Sequence, residues 1–336
     1  MKKENNKKSI LGFSIGDVNG IGPEILIKSL SNKKLIDLFT PIIFCNPEII
    51  DYYCKLFKKK INYNLIHSIN NISSNRINII KVSNENVEIN PGKIKRKTGN
   101  HAFKSLEITT DHLIKNEIDG IVTLPINKKN IQSEKFNFPG QTEYFHIKLK
   151  SKNYLMMMLS KKIKIGIYSG HIPFKEITNK LTINKLKNKI KVLINSLKKD
   201  FNIKKPKIAV LGLNPHAGER RMLGNEEKKI IEPVIEIVNE KNRLVYGPFS
   251  SDAYFGSNKF KKYDATFALY HDQALIPFKM LSFYEGVNFT SGMKYIRTSP
   301  DHGTAYDIAG KNLANNTSLD NSILLNLQII NNRKNY

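Results

Sequence analysis

The chain is short of acid, of cysteine and of long apolar runs, and each shortage closes off a class of protein. Over 336 residues, 29 acidic side chains face 54 basic ones, a formal charge of +25. Such a balance invites nucleic acid as a partner. The excess, however, is nearly all lysine and is spread along the chain. The dense runs, Lys58–Lys60 and Lys93–Lys97, are short and do not alternate with aromatic stacking residues. No recognised nucleic-acid module is present. The charge reads as lysine filling tolerant surface positions, and no specific nucleic-acid partner is expected. Cys45 and Cys54 lack zinc-finger spacing, and two thiols do not make a secreted disulfide framework. No apolar run reaches the roughly 18 residues of a membrane span. The basic start Met1–Lys8 leads into a strand and not a signal-peptide core. A soluble cytoplasmic protein with no membrane partner is expected, and the length suggests about two domains.

What is present is a repeated placement. Of eight histidines, three follow strand-like apolar runs and sit among turn-forming residues. They are His171 after Ile165–Tyr168, His216 after Ile208–Leu213, and His271 after Ala265–Tyr270. A histidine at the carboxyl end of a buried strand lies at the rim of an α/β sheet, where such folds bind ligands. Three imidazoles there can hold one divalent ion and leave a position open for substrate. The plainer reading is three unrelated loop histidines; the repetition favours the metal.

Strand and helix signals alternate along the rest of the chain, so a mainly parallel α/β architecture is expected. The run Ser9–Ile15 reads as a strand, followed by the glycine loop Gly16–Gly22 and a helix opened by Pro23. The loop lacks the Gly-x-Gly-x-x-Gly spacing of the dinucleotide fingerprint. Its glycines serve either an anion at the helix start or a plain βα turn. Helices are expected near His101–Asn116 and over Ile183–Lys199, and a polar loop over Phe138–Phe145. The methionine run Met156–Met158 reads as buried strand.

Five motifs, in order, carry a resemblance. Gly16–Glu24, Phe138–Glu143, Leu213–Glu219, Tyr270–Gln273 and Ile296–Ala305 together resemble the 4-hydroxythreonine-4-phosphate dehydrogenases of pyridoxal phosphate biosynthesis, over nearly the whole chain. That family is similar to isocitrate and isopropylmalate dehydrogenases, whose NAD-contacting loop resembles His302–Lys311. The resemblance implies the two-domain α/β fold of those enzymes, with mainly parallel sheets. Residues 1–133 with 305–336 would form the first domain, and 134–304 the second, carrying most of the metal and substrate site.

The resemblance also implies roles. His171, His216 and His271 would hold one divalent ion per subunit (zinc, magnesium or cobalt). Gln141, Thr142, Lys279, Asn288 and Arg297 would contact a small phosphorylated substrate, and His302, Gly303 and Thr304 would contact NAD or NADP. A homodimer with the active site at its interface is implied, the ion collecting ligands from both subunits. The implied reaction is oxidation of 4-phosphooxy-L-threonine to a 3-keto acid, which decarboxylates to 3-amino-2-oxopropyl phosphate. Asp252 and Asp272 are candidates to orient the histidines or relay protons, with helix capping or loop bonding as the plainer role for each.

Two departures stand out. The family usually has histidine where this chain has Gln141, which keeps a donor and an acceptor but cannot carry a proton charge. Arg220-Arg221 replaces the usual small residues, either to meet a phosphate or simply to face solvent. Three rival readings follow: a sister dehydrogenase for a four-carbon acid-sugar phosphate such as threonate 4-phosphate, a metal-independent phosphate acyltransferase of similar fold, and a basic non-catalytic binding protein.

Overall fold

The computed structural model describes residues 8–336, and the basic segment 1–7 lies outside the described residues. The chain divides into two compact units, Met1–Tyr144 with Tyr295–Ile330, and Phe145–Lys294 with Asn331–Tyr336. The division thus differs from the expected 133/134 and 304/305 boundaries. Tyr144 stays with the first unit, stacked on Phe136 at 5.5 Å and edge-on to Phe103 and Phe138. The last residues join the second unit, where Arg333 pairs with the buried Asp200 at 2.6 Å.

The first unit opens with strands β1 (Ile10–Ser14), β2 (Thr40–Phe44), β3 (Tyr63–Ile66), β4 (Ile77–Ile80) and β5 (Gly120–Thr123). The second holds β6 (Leu155–Leu159), β7 (Lys164–Ser169), β8 (Ile208–Leu211), β9 (Val245–Phe249), β10 (Ala265–Tyr270) and β11 (Val287–Ser291). The chain then returns to the first unit with β12 (Arg297–Pro300). In the first unit the order is β3-β4-β2-β1-β5-β12, every pair parallel. In the second it is β11-β6-β7-β10-β8-β9, with β11-β6-β7 antiparallel and the remainder parallel.

Parallel strands covered on both faces read as unbroken apolar runs. Accordingly the parallel strand β8 is buried along its whole length, as is the antiparallel β6 with Met156, Met157 and Met158. Because β7, β10 and β8 are neighbours running the same way, their carboxyl ends share one rim, and each is followed by a candidate histidine. Local readings shift in two places. The expected loop over Phe138–Phe145 gives way to a helix, Gln141–Lys148, which buries Thr142, Tyr144 and Phe145. The helix expected from His101 begins earlier, running Arg96–Ile114. No described helix is long and apolar enough to cross a membrane.

Candidate functional site

The candidate residues fall into one group in each unit. In the second unit, His171 follows β7 on an exposed turn, while His271 opens the helix His271–Ser282 directly after β10. Their rings lie 5.7 Å apart at 42°. Two imidazoles sharing a tetrahedral ion at about 2 Å place their ring centres roughly 5 Å apart, so this pair suits one ion. Asp272 Oδ1 lies 2.7 Å from His271 Nδ1, which turns Nε2 outward. That is the carboxylate–imidazole arrangement that fixes the tautomer of a metal ligand.

His216 stands apart from that pair. It lines a cavity of about 570 Å³ with Asn214, Ser250, Asp252, Phe174 and Tyr270. Asp252 lies beside it, held below the usual carboxylate range by the Ser250 hydroxyl, the Ala253 N–H and His216. Among the described residues, no three His, Cys, Asp or Glu side chains converge tightly enough to hold an ion. The donor chemistry therefore fits a divalent ion at two of the expected ligands, with the third on the adjacent strand end.

The backbone presenting His216 is unusual. His216, Ala217, Gly218, Glu219, Arg220 and Arg221 all have positive φ, from 36° to 83°. A left-handed conformation costs a non-glycine residue roughly 1–2 kcal/mol, so such a turn persists only where its surroundings hold it. The sequence offers no signal for it beyond Gly218. Arg220 and Arg221 sit on this turn fully at the surface.

Lys279 lies about 12 Å further along the helix that His271 opens, by helical rise, with its ammonium over the Phe283 ring at 5.4 Å. Asn288 is half-buried on β11, opposite Met158 of β6.

The first unit's group is built differently. Gly16 adopts φ +70°, and a Cβ there would sit 2.3 Å from the Pro125 carbonyl oxygen, so only glycine fits. Asp17, with no exposed surface, accepts hydrogen bonds from the Asn19 N–H, Asn130 Nδ2, Thr98 Oγ1 and Tyr306 OH. The Asp17 N–H donates to the Pro125 carbonyl, Gly20 to Asp17, and Ile21 to the Thr304 carbonyl at 2.9 Å. The N–H groups of Asp17, Asn19, Gly20 and Ile21 are thus engaged by protein acceptors. The glycine loop is a βα turn clamped to the 302–310 segment through Thr304. Within that segment His302 is half-buried and Thr304 is buried, while Gly303 is exposed with open space where a side chain would be.

Arg297 on β12 is 4% exposed. Its Nε and a terminal nitrogen donate to Thr123 Oγ1 at 3.0 and 2.8 Å, and that terminal nitrogen also reaches Gln141 Oε1 at 2.9 Å. Burial lowers its pKa to about 10, against the pull of Glu143. Gln141 in turn donates through Nε2 to the Leu124 carbonyl at 3.0 Å. Its amide thus faces a donor on one side and an acceptor on the other, a pattern it meets at any pH. Thr142 is buried beside it. Thr123, Asn130 and Thr98 escaped sequence reasoning. Only Thr123 carried a signal, its place at a strand's carboxyl end.

Comparison with known proteins shows the family. The family profile of the pyridoxal phosphate biosynthetic protein PdxA matches residues 37–326. The 4-hydroxythreonine-4-phosphate dehydrogenase of Bacteroides thetaiotaomicron is 39% identical over 332 residues, covering 98% of this chain and 91% of that protein. The D-threonate 4-phosphate dehydrogenase of Salmonella typhimurium is 34% identical over 326 residues, covering 95% and 98%. The crystal structure of 4-hydroxythreonine-4-phosphate dehydrogenase from Klebsiella pneumoniae superposes with a TM-score of 0.83 at 31% identity, over 98% of this chain and 99% of that one. Isocitrate dehydrogenase from Methylococcus capsulatus, at 11% identity and a TM-score of 0.54 over 97% and 87%, shares the fold alone. The acyltransferase and non-catalytic readings are set aside: the chain is an oxidoreductase, and it belongs to the PdxA family of pyridoxal phosphate biosynthetic proteins.

Proposed function

We propose that the chain oxidises the secondary hydroxyl of 4-phosphooxy-L-threonine, passing hydride to NAD with one divalent ion held by His171, His216 and His271. The 3-keto acid formed then loses carbon dioxide to leave 3-amino-2-oxopropyl phosphate. The observation that carries this reading is the placement of three histidines at the carboxyl ends of three adjacent parallel strands, one of them oriented by Asp272. When bound, a divalent ion supplies Lewis acidity at the substrate oxygen, and NAD supplies the hydride acceptor that side chains lack. Asp252, held ionised beside His216, is a carboxylate able to relay the hydroxyl proton. Arg297 offers a planar, fixed guanidinium to a substrate oxyanion, and Lys279 a point charge. Thr142, Gln141 and Asn288 supply hydrogen bonds. His302, Gly303 and Thr304 form the coenzyme contact, with the bare Gly303 allowing close approach.

A homodimer with shared sites belongs to the same reading. Ile276, Met280, Phe283 and Tyr284 are 60%, 83%, 63% and 61% exposed. Their spacing puts them on one face at the end of the His271–Ser282 helix. An apolar stripe of this kind suits a second copy of the chain. Among the described residues of one subunit no three-ligand ion site closes, and a partner's residues would complete it.

One observation keeps a second substrate in play. Gln141 replaces a family histidine directly beside Arg297, and a relative of similar identity is named for D-threonate 4-phosphate. The test is NADH formation from each substrate with added zinc, magnesium or cobalt. Faster turnover of 4-phosphooxy-L-threonine supports the proposal. Preference for D-threonate 4-phosphate moves the chain to the sister activity, and no NADH from either rejects both.

A further inference from the structure

We infer that Glu227 is the positioning residue of the His216 turn, and that its carboxylate sets how well His216 serves as a metal ligand. The inference rests on the metal reading above and adds a residue that none of the motifs contains. Glu227 lies eleven positions beyond His216 in the sequence and is only 3% exposed. Among the described residues no cation pairs with it; peptide and amide donors surround it instead. Its Oε1 accepts the backbone N–H groups of Leu213 and Asn214, both at 2.8 Å, and its Oε2 accepts Asn214 Nδ2 at 2.9 Å. Leu213 and Asn214 are the residues that lead from β8 into the left-handed stretch, so the carboxylate grips the root of the turn.

The sequence also clears room for this carboxylate. A Cβ on Gly218 would stand 2.8 Å from Glu227 Oε2, and one on Gly224 would stand 2.3 Å from Asn214 Nδ2. A Cβ on Gly212 would press on Ala217 Cα at 2.8 Å. Three glycines thus allow the turn to close around one buried charge. Glu226 adds a further acceptor to Asn214 Nδ2 at 2.8 Å. A buried carboxylate without a counter-ion is costly unless several N–H groups converge on it. Here they converge from the loop that holds an expected ligand. The five side chains of the turn other than Gly218 occupy a disfavoured backbone region, so the turn needs an external hold. Glu227 provides it. Its role parallels that of Asp272 on His271, although it acts through the backbone and not through the imidazole.

The test uses the full chain, metal-free, titrated with zinc ion alone against a chromogenic chelator, with the melting temperature of the metal-free protein measured alongside. Glu227→Gln keeps the volume but removes the charge and sets an amide donor against the waiting N–H groups. We expect zinc affinity to fall about 10- to 100-fold, the range for residues that orient metal ligands, while the metal-free protein keeps its fold and melts within a few degrees of the parent. A purely structural glutamate would show the reverse, a large loss of melting temperature with parent-like zinc affinity in the folded fraction, and that result overturns the inference. His216→Ala separates the two layers. If it binds zinc like the parent, the metal reading itself fails; if it loses zinc while Glu227→Gln does not, the metal reading stands and the positioning role falls. Should Glu227→Gln not fold, Asn214→Ala asks the same question at a half-exposed site. A severalfold loss of zinc affinity supports the role, and parent-like binding overturns it.

Discussion

The candidate residues of the two units stand in opposite settings. In the first, Asp17, Thr98, Asn130, Thr123 and Arg297 are buried and bonded to one another or to backbone. In the second, His171, His216, Asp252 and Asp272 stand at the surface, and the His271 side chain is 41% exposed. A buried polar group must be paired by the protein itself, or folding pays its desolvation. An exposed imidazole gives up little of its hydration on folding, so it adds little to the fold. Substitutions in the first unit should therefore damage stability and activity together, whereas those among the histidines should damage activity alone. On the proposed function both groups serve the reaction, but only one of them is also structural.

The largest expected effect tests the exposed side of that contrast. His216→Ala removes a ligand whose ion is expected to supply several kcal/mol of transition-state stabilisation, so turnover should fall about a thousandfold or more. The melting temperature of the metal-free protein should stay put. Steady-state NADH assays and calorimetry on the same preparation check both halves. Full activity would remove His216 from the site, and an early melt would erase the contrast between the units.

The buried side is tested by acid. His101 in the first unit is 2% exposed with neither ring nitrogen bonded, and burial, helped by Lys104, brings its pKa down to about 4. A histidine whose folded pKa lies below its unfolded value of about 6.5 favours folding while neutral. That contribution is complete above about pH 6.5 and drains away as the pH falls towards 4. Between pH 7 and about pH 4.5, the parent should lose roughly 2–3 kcal/mol more stability than His101→Leu, read from urea melts. Equal losses would mean that the imidazole does not stay neutral in the fold.

How much of this was legible in the sequence follows the same division. The histidines were readable because each comes at or just beyond the end of an apolar run, and a run of Ile, Val, Leu and Ala in a covered parallel strand has few alternatives. The glycine loop was readable too, but not its purpose, since nothing local reveals that Thr304 and Pro125 return to occupy its donors. Pairings between distant segments left no trace. β12 lies beside β5, Arg297 reaches Thr123 across 174 positions, and Arg333 reaches Asp200 across 133. The Gln141–Lys148 helix hid inside a stretch whose proline and glycine announce a turn, because its burial of Tyr144 against Phe136 is a tertiary effect. Glu227 was invisible for the same reason.

Arg297 should break both ways at once, which makes it the sharper test of the comparison. Arg297→Lys keeps the charge but loses the flat fork that reaches Thr123 and Gln141. Loss of a charge-assisted contact costs about 1.5–3 kcal/mol, so kcat/KM should drop at least roughly tenfold. Because the guanidinium is 4% exposed, the melting temperature should fall as well. A variant that loses activity without melting earlier would show that the buried arginine serves the substrate alone, contrary to the rule drawn for the first unit.

The smallest expected effect lies at Gln141, where the resemblance leads to the expectation of a histidine that substitution can supply. The glutamine donates to the Leu124 carbonyl and accepts from Arg297. A neutral imidazole offers the same one donor and one acceptor, so Gln141→His should change KM only severalfold at about pH 8. A protonated imidazole has donors on both nitrogens and would turn one of them towards the guanidinium, an arrangement the neighbouring positive charge opposes. That repulsion lowers the imidazole pKa below its ordinary 6.5. The variant's kcat/KM should therefore fall away as the pH drops below about 6.5, where the parent's glutamine keeps its pattern. Parallel pH profiles for the two proteins would show that Gln141 does not sense Arg297. A wholesale change of preferred substrate would instead make this position the selector between the amino acid and the hydroxy acid.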